Sequence, residues 1–88
     1  MKWGENMILV DVRIPAVDAT YDFMLDENTP VEQIKMEIIE MVAKQTQSGK
    51  PENTEEFMLF STKEKRQLQG NRTLYEAGIK DGHSLMLV

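Results

Sequence analysis

Residues 73–88, TLYEAGIKDGHSLMLV, fix more of the architecture of this 88-residue chain than any other stretch. Thr73 stands where it can cap a short helical turn over residues 74–77. Gly78 follows at the position where that turn needs a left-handed residue to end it. Ile79 then points inward, and Asp81-Gly82 is a strong turn signal. Residues 84–88 alternate, with Leu85 and Leu87 to one face and Met86 and Val88 to the other, as in a strand. If that strand is buried, the end of the sequence is a structural member and not a free tail.

Such a strand needs neighbours, and the front of the chain supplies them. Residues 7–14 alternate, with Ile8, Val10, Val12 and Ile14 on one face and Leu9, Asp11 and Arg13 on the other. Pro15 ends that strand, because proline cannot donate to a ladder. Residues 20–26 alternate again, Tyr21, Phe23 and Leu25 inward and Asp22, Met24 and Asp26 outward. The short link over residues 16–19 makes the two an antiparallel hairpin.

A helix follows. Thr29 is its expected N-cap, Pro30 its first residue and Glu32 the partner in a capping box. Val31, Ile34, Ile38, Met41 and Val42 form the apolar stripe, flanked by Met36 and Ile39. Lys35, Glu37, Glu40 and Lys44 lie mostly off that stripe, and Glu40–Lys44 has favourable i,i+4 spacing. Residues 45–56 read as the end of the helix running into a loop. A third strand spans residues 57–61, with Phe57 and Leu59 opposed to Met58 and Phe60. Residues 62–66 are a charged turn, and a short fourth strand is expected around Leu68. Residues 1–6 have no periodicity and form an N-terminal tail before a single domain over residues 7–88. Trp3, beside Gly4, could pack on that domain as a flap.

Composition narrows the chemistry. The chain has no cysteine and one histidine, His83, so neither a disulfide framework nor a multi-histidine metal site is expected. A net charge of −5 argues against nucleic acid and anionic membrane surfaces, which call for clustered Lys and Arg. No apolar run approaches the ~20 residues that span a bilayer. The expectation is a cytoplasmic chain with protein partners, no membrane insertion and no small-molecule substrate.

One amphipathic helix must cover one face of the sheet, since nothing else can bury its inward residues. The hairpin pairs the first two strands, and the last strand returns beside the first. The expected fold is α+β, a β-grasp with a mixed four- to five-stranded sheet and one main helix packed on one face.

Here the residues resemble a known group. RQLQGNR at 66–72, followed by TLYEAGIKDGHSLMLV, is similar to the C-terminal half of ubiquitin-like domains. YDFMLDENTPVEQI at 21–34 resembles the strand, acidic turn and proline-initiated helix of the YukD/EsaB family of bacterial type VII (WXG100) secretion systems. EAGIKDG at 76–82 matches that family's ending. The resemblance covers about residues 7–88, with 45–56 unaligned. It implies an accessory or regulatory component of the secretion system, whose partners are core components of that apparatus.

Three kinds of function follow. Covalent transfer in ubiquitin and sulfur carriers needs a flexible Gly-Gly tail. This sequence has no glycine after Gly82, so conjugation is not expected of it as given. Catalysis finds no residues: Asp11, Asp18, Asp22, Asp26, Glu27 and Asp81 sit at outward strand positions or in turns, and His83 lies in a turn. No catalytic residue, cofactor or metal ligand is assigned. Binding remains, on the sheet face away from the helix, where Leu9, Met24, Met58, Phe60, Met86 and Val88 are expected to form an apolar patch. Methionine adapts to partners of varied shape. The plainer alternative is that small domains expose some apolar area in any case. The leading expectation is therefore a non-enzymatic ubiquitin-like binding module. The alternatives are a modifier or sulfur carrier lacking its Gly-Gly tail, or a ubiquitin-like domain excised from a larger protein.

Overall fold

The computed structural model describes residues 6–47 and 56–88. Strand β1 spans Met7–Ile14, β2 Ala19–Asp26, helix α1 Val31–Thr46, β3 Leu59–Ser61, β4 Arg66–Gln67 and β5 Ser84–Leu87. The sheet order is β2-β1-β5-β3-β4, with β1 and β5 parallel and the other neighbours antiparallel. The terminal strand thus lies at the centre of the sheet, and the α+β β-grasp expected from the sequence is the fold observed. A 3-10 turn at Pro15–Val17 and a left-handed Asp18 close the β1–β2 hairpin.

The alternation in β1 and β2 is explained by burial. Ile8, Val10, Val12 and Ile14 join Phe23 and Leu25 beneath α1, while Leu9 and Met24 remain exposed. From α1 come Val31, Ile34, Ile38, Ile39 and Val42, and from β5 Leu85 and Leu87. Truncating a fully enclosed side chain such as Ile34 or Ile38 would cost about 2–5 kcal/mol, the usual range for a buried isoleucine.

The helix departs from its expected pattern in two ways. Met41 is 53% exposed and lies off the buried stripe, whereas Lys35 is 6% exposed and lies within it. Lys35 lies where α1 faces residues 57–59 and 67–70, and its Nζ is 3.1 Å from Oε2 of Glu32. Its aliphatic stem fills apolar space while the ammonium reaches an exposed carboxylate, which is how a lysine replaces a hydrophobe.

The capping box over Thr29 and Glu32 does not form. The N-cap is Pro30, and no side chain caps the helix. The first amides instead find carbonyls from a distant loop: Val31 N–H donates to Arg72 at 2.7 Å and Glu32 N–H to Gly70 at 3.0 Å. Pro30 also forms a bridge with Thr73. These acceptors satisfy orphan donors that a local side chain would otherwise serve.

The same motif closes at residues 73–76. Glu76 N–H donates to Thr73 Oγ1 and Thr73 N–H to Glu76 Oε1, both at 3.0 Å, a reciprocal capping box. The segment it caps, residues 74–78, is a turn and not a helix. Ile79 N–H donates to the Leu74 carbonyl and Gly78 N–H to that of Tyr75, with Gly78 at φ +80°. That pair of bonds is a Schellman closure, and Leu74 and Ile79 supply its buried apolar contact.

The third strand is shorter than the alternation over residues 57–61 implied. Met58 exchanges two backbone bonds with Val88, and the regular ladder begins at Leu59. The short fourth strand lies at Arg66–Gln67, just before buried Leu68. At the front, the Asn6 carbonyl accepts from Glu27 N–H at 2.9 Å, so strand-like pairing reaches one residue into the expected tail. The packing expected of Trp3 lies outside the described residues.

Candidate functional site: the open face of the sheet

The face of the sheet away from α1 is read from its register. Across β2-β1-β5-β3-β4, one row runs Thr20, Arg13, Met86, Phe60, Gln67. Met58 stands beside Val88 in the next row, joined by backbone bonds of 2.7 and 2.9 Å. Met58, Phe60, Met86 and Val88 are therefore mutual neighbours. Met58 and Val88 are exposed, while Phe60 and Met86 are half-buried.

Leu9 and Met24 do not join them. These two pair with each other across β1 and β2. The row between them and Met86 carries Asp22, Asp11 and Ser84, with Thr62 beyond. Leu9 lies four residues before Arg13, a separation of about 13 Å at the usual rise of a strand. The patch of six residues expected from alternation is thus a cluster of four plus a separate pair.

The dividing row is polar and firmly held. Ser84 Oγ donates to Asp11 Oδ1 at 2.7 Å. Thr62 donates to the Ser84 carbonyl through Oγ1 at 3.0 Å and through its amide at 3.2 Å. Asp11 and Asp22 stand directly opposite each other, a like-charge pair that disfavours the fold slightly. Arg13, beside Met86, and Gln67, beside Phe60, border the apolar cluster. Alternation assigns Arg13 to the outer face but cannot give its row, which only the pairing supplies.

His83 sits at the mouth of β5 and has a structural contact. Its Nδ1 accepts the Lys80 amide at 3.2 Å, and its own amide donates to the Lys80 carbonyl at 3.0 Å. With Gly82 at φ +88° in the third position, residues 80–83 form a type II turn. Among the described residues, no group of three or more His, Cys, Asp or Glu side chains could hold a metal ion. No helix among them is long and apolar enough to cross a membrane.

One long helix on a five-stranded mixed sheet, with a short capped turn before the central last strand, defines a ubiquitin-like domain. The chain matches the family described as WXG100 protein secretion system (Wss), protein YukD, over residues 9–87, and it belongs to that family. Among solved structures, the EccD5 ubiquitin-like domain from Mycobacterium xenopi is similar at 19% identity and TM-score 0.72, covering 93% of this chain and 92% of that one. A ubiquitin-like domain from Arabidopsis thaliana gives 19% identity and TM-score 0.73, covering 99% and 81%. Ubiquitin of Caldiarchaeum subterraneum gives 17% identity and TM-score 0.66, covering 92% and 90%. Likeness at these identities concerns the fold. No curated protein matches the sequence.

Proposed function

We propose that this chain is a non-enzymatic, cytoplasmic protein-binding module of a bacterial WXG100 secretion system, and that it engages a component of that apparatus through its open sheet face. The observation that carries the reading is the clustering of Met58, Phe60, Met86 and Val88 on a face that α1 leaves uncovered. Membership of the YukD family supplies the biological setting.

The chemistry of the cluster supports binding. Burying one such side chain contributes about 1.5–3 kcal/mol, so three or four suffice for a micromolar complex after association costs. Thioether side chains repack at little cost, which suits a surface that must follow a partner's shape. Arg13 and Gln67 supply a polar rim.

The test is chemical-shift mapping of the isotope-labelled protein against the cytoplasmic domains of the secretion system encoded beside it. Shifts centred on Met58, Phe60, Met86 and Val88, abolished by Met58→Asp, are the expected result. Shifts confined to the outer side of α1 would refute the reading.

A further inference from the structure

Strand β2 ends the sheet, and among the described residues no strand pairs with its outer edge. Gly82 N–H donates to the Leu9 carbonyl, and Asp11 N–H donates to His83, so the odd-numbered residues of β1 face β5. The even-numbered residues of β1 must then bond β2 through Ala19, Tyr21, Phe23 and Leu25. The N–H and C=O groups of Thr20, Asp22 and Met24 consequently point outward. A row of this kind is a template for another strand.

A cavity of about 420 Å³ lies beside that edge, walled by Tyr21 and Phe23 from β2 and by Met41, Val42, Lys44 and Gln45 from α1. The volume falls in the usual range of ligand clefts, ~300–1,000 Å³. The exposure of Met41, unexpected for the helix, is part of this groove.

We propose that the β2 edge is a second docking site, distinct from the open face, which takes an extended partner segment reading apolar–basic–apolar as an added strand. Residues of the incoming strand opposite Tyr21 and Phe23 point to the helix side, into the groove. The residue between them, opposite Asp22, points to the open face. Asp22 is exposed, and its neighbour across β1 is Asp11. A lysine or arginine there neighbours Asp22 directly and offsets its repulsion from Asp11. Asp26, four residues on from Asp22, falls on the same side of β2 and extends the negative field along the edge.

Charge also decides against a second copy as the occupant. Two β2 edges paired antiparallel would bring Asp22 and Asp26 of both chains onto one surface, where like charges disfavour pairing. The carboxylates that discourage self-association are those that attract a basic strand.

The test is titration of the isotope-labelled protein with a short capped peptide of alternating valine and lysine. Shifts at the amides of Thr20, Asp22 and Met24, together with those of Met41 and Lys44, are expected. Asp22→Lys and Met41→Asp should each weaken binding at least about fivefold, as loss of a complementary charge or an apolar wall does. Both positions are exposed, and Asp22→Lys removes the repulsion from Asp11, so both variants should keep the parent circular dichroism spectrum. Glutamate in place of lysine in the peptide should abolish binding. Equal affinity for the two peptides, or shifts confined to Met58, Phe60, Met86 and Val88, would overturn the proposal. So would a β2-mediated dimer that the peptide does not disperse. Failure here leaves the open-face reading intact, because Met58→Asp touches neither the edge nor the groove.

Discussion

The carboxylate of Asp81 accepts the backbone amide of Leu9 at 2.7 Å, across a separation of 72 residues. Beside it, the Gly82 amide donates to the Leu9 carbonyl, also at 2.7 Å. β5 begins only at Ser84, so Leu9 would otherwise present unpaired backbone groups to the centre of the sheet. A side chain and a turn amide thereby carry the parallel pairing two residues beyond Asp11. Asp81→Ala is expected to lower stability by about 1–2 kcal/mol, as loss of a charge-assisted bond at a partly solvated site does. Asp81→Asn, which keeps an acceptor, should recover most of it. Denaturant titration gives the energies, and amide exchange at Leu9 reports the bond directly.

The two Thr-x-x-Glu motifs should respond differently to the same change. Thr73→Ala removes a cap and is expected to cost about 1 kcal/mol. Thr29→Ala removes no cap and should stay within about 0.5 kcal/mol of the parent. Equal losses at both sites in thermal or urea unfolding would contradict the assignment of the capping box to residues 73–76.

Helix α1 ends on Gln47 at φ +56°, whose amide reaches the carbonyls of Ala43 and Lys44. A non-glycine residue in that conformation carries a steric cost that glycine avoids. Gln47→Gly is expected to stabilise the protein by roughly 0.5–1 kcal/mol. Gly78→Ala, at φ +80° with no atom within 4 Å of the added carbon, should destabilise it by about 1 kcal/mol through backbone conformation alone. A paired set of chemical denaturation curves checks both signs.

Glu32 is the ion-pair partner of a lysine with a side-chain exposure of only 8%. Glu32→Ala should cost about 1–2 kcal/mol, because it leaves an enclosed ammonium without its carboxylate. Lys35→Met in that background is expected to restore stability, since methionine fills the space of the lysine stem without a charge. A carbon added at Gly70 would lie 2.8 Å from Glu32 Oε1, so Gly70→Ala should displace the same carboxylate and weaken the fold in the same direction.

The division of the open face predicts a split in binding. Met58→Ala and Val88→Ala should each weaken an open-face complex by about tenfold, the scale of an interface anchor. Leu9→Ala, beyond the row of Asp11, Asp22 and Ser84, should leave it within about twofold. Calorimetric titration of the three variants measures the split, and equal losses at all three positions would restore a continuous patch.

Much of this fold was legible from residues alone because its signals are local. Alternation in residues 7–14 and 20–26 has a period of two, and burial against one helix requires just that period. Gly78 and Gly82 mark positive φ because few other residues tolerate it. What the sequence could not order was competition between distant groups. Thr29-Pro30-Val31-Glu32 and Thr73-Leu74-Tyr75-Glu76 carry the same motif, yet only the second closes on itself. At the first, the carbonyls of Gly70 and Arg72 reach the helix amides, and Glu32 turns to Lys35. Alternation likewise places Leu9, Met24, Met58, Phe60, Met86 and Val88 on one face, but it says nothing of rows. Register is set by long-range backbone pairing, and that pairing puts two carboxylates and a serine between Leu9 and Met86. In residues 73–88 the sequence by itself determined the capped turn, the glycine stop and the alternating strand, all satisfied within a few residues. Only the tertiary structure decided the register in which this strand joins β1 and β3, because its hydrogen-bond partners lie at residues 9–13 and 58–62, distant along the chain.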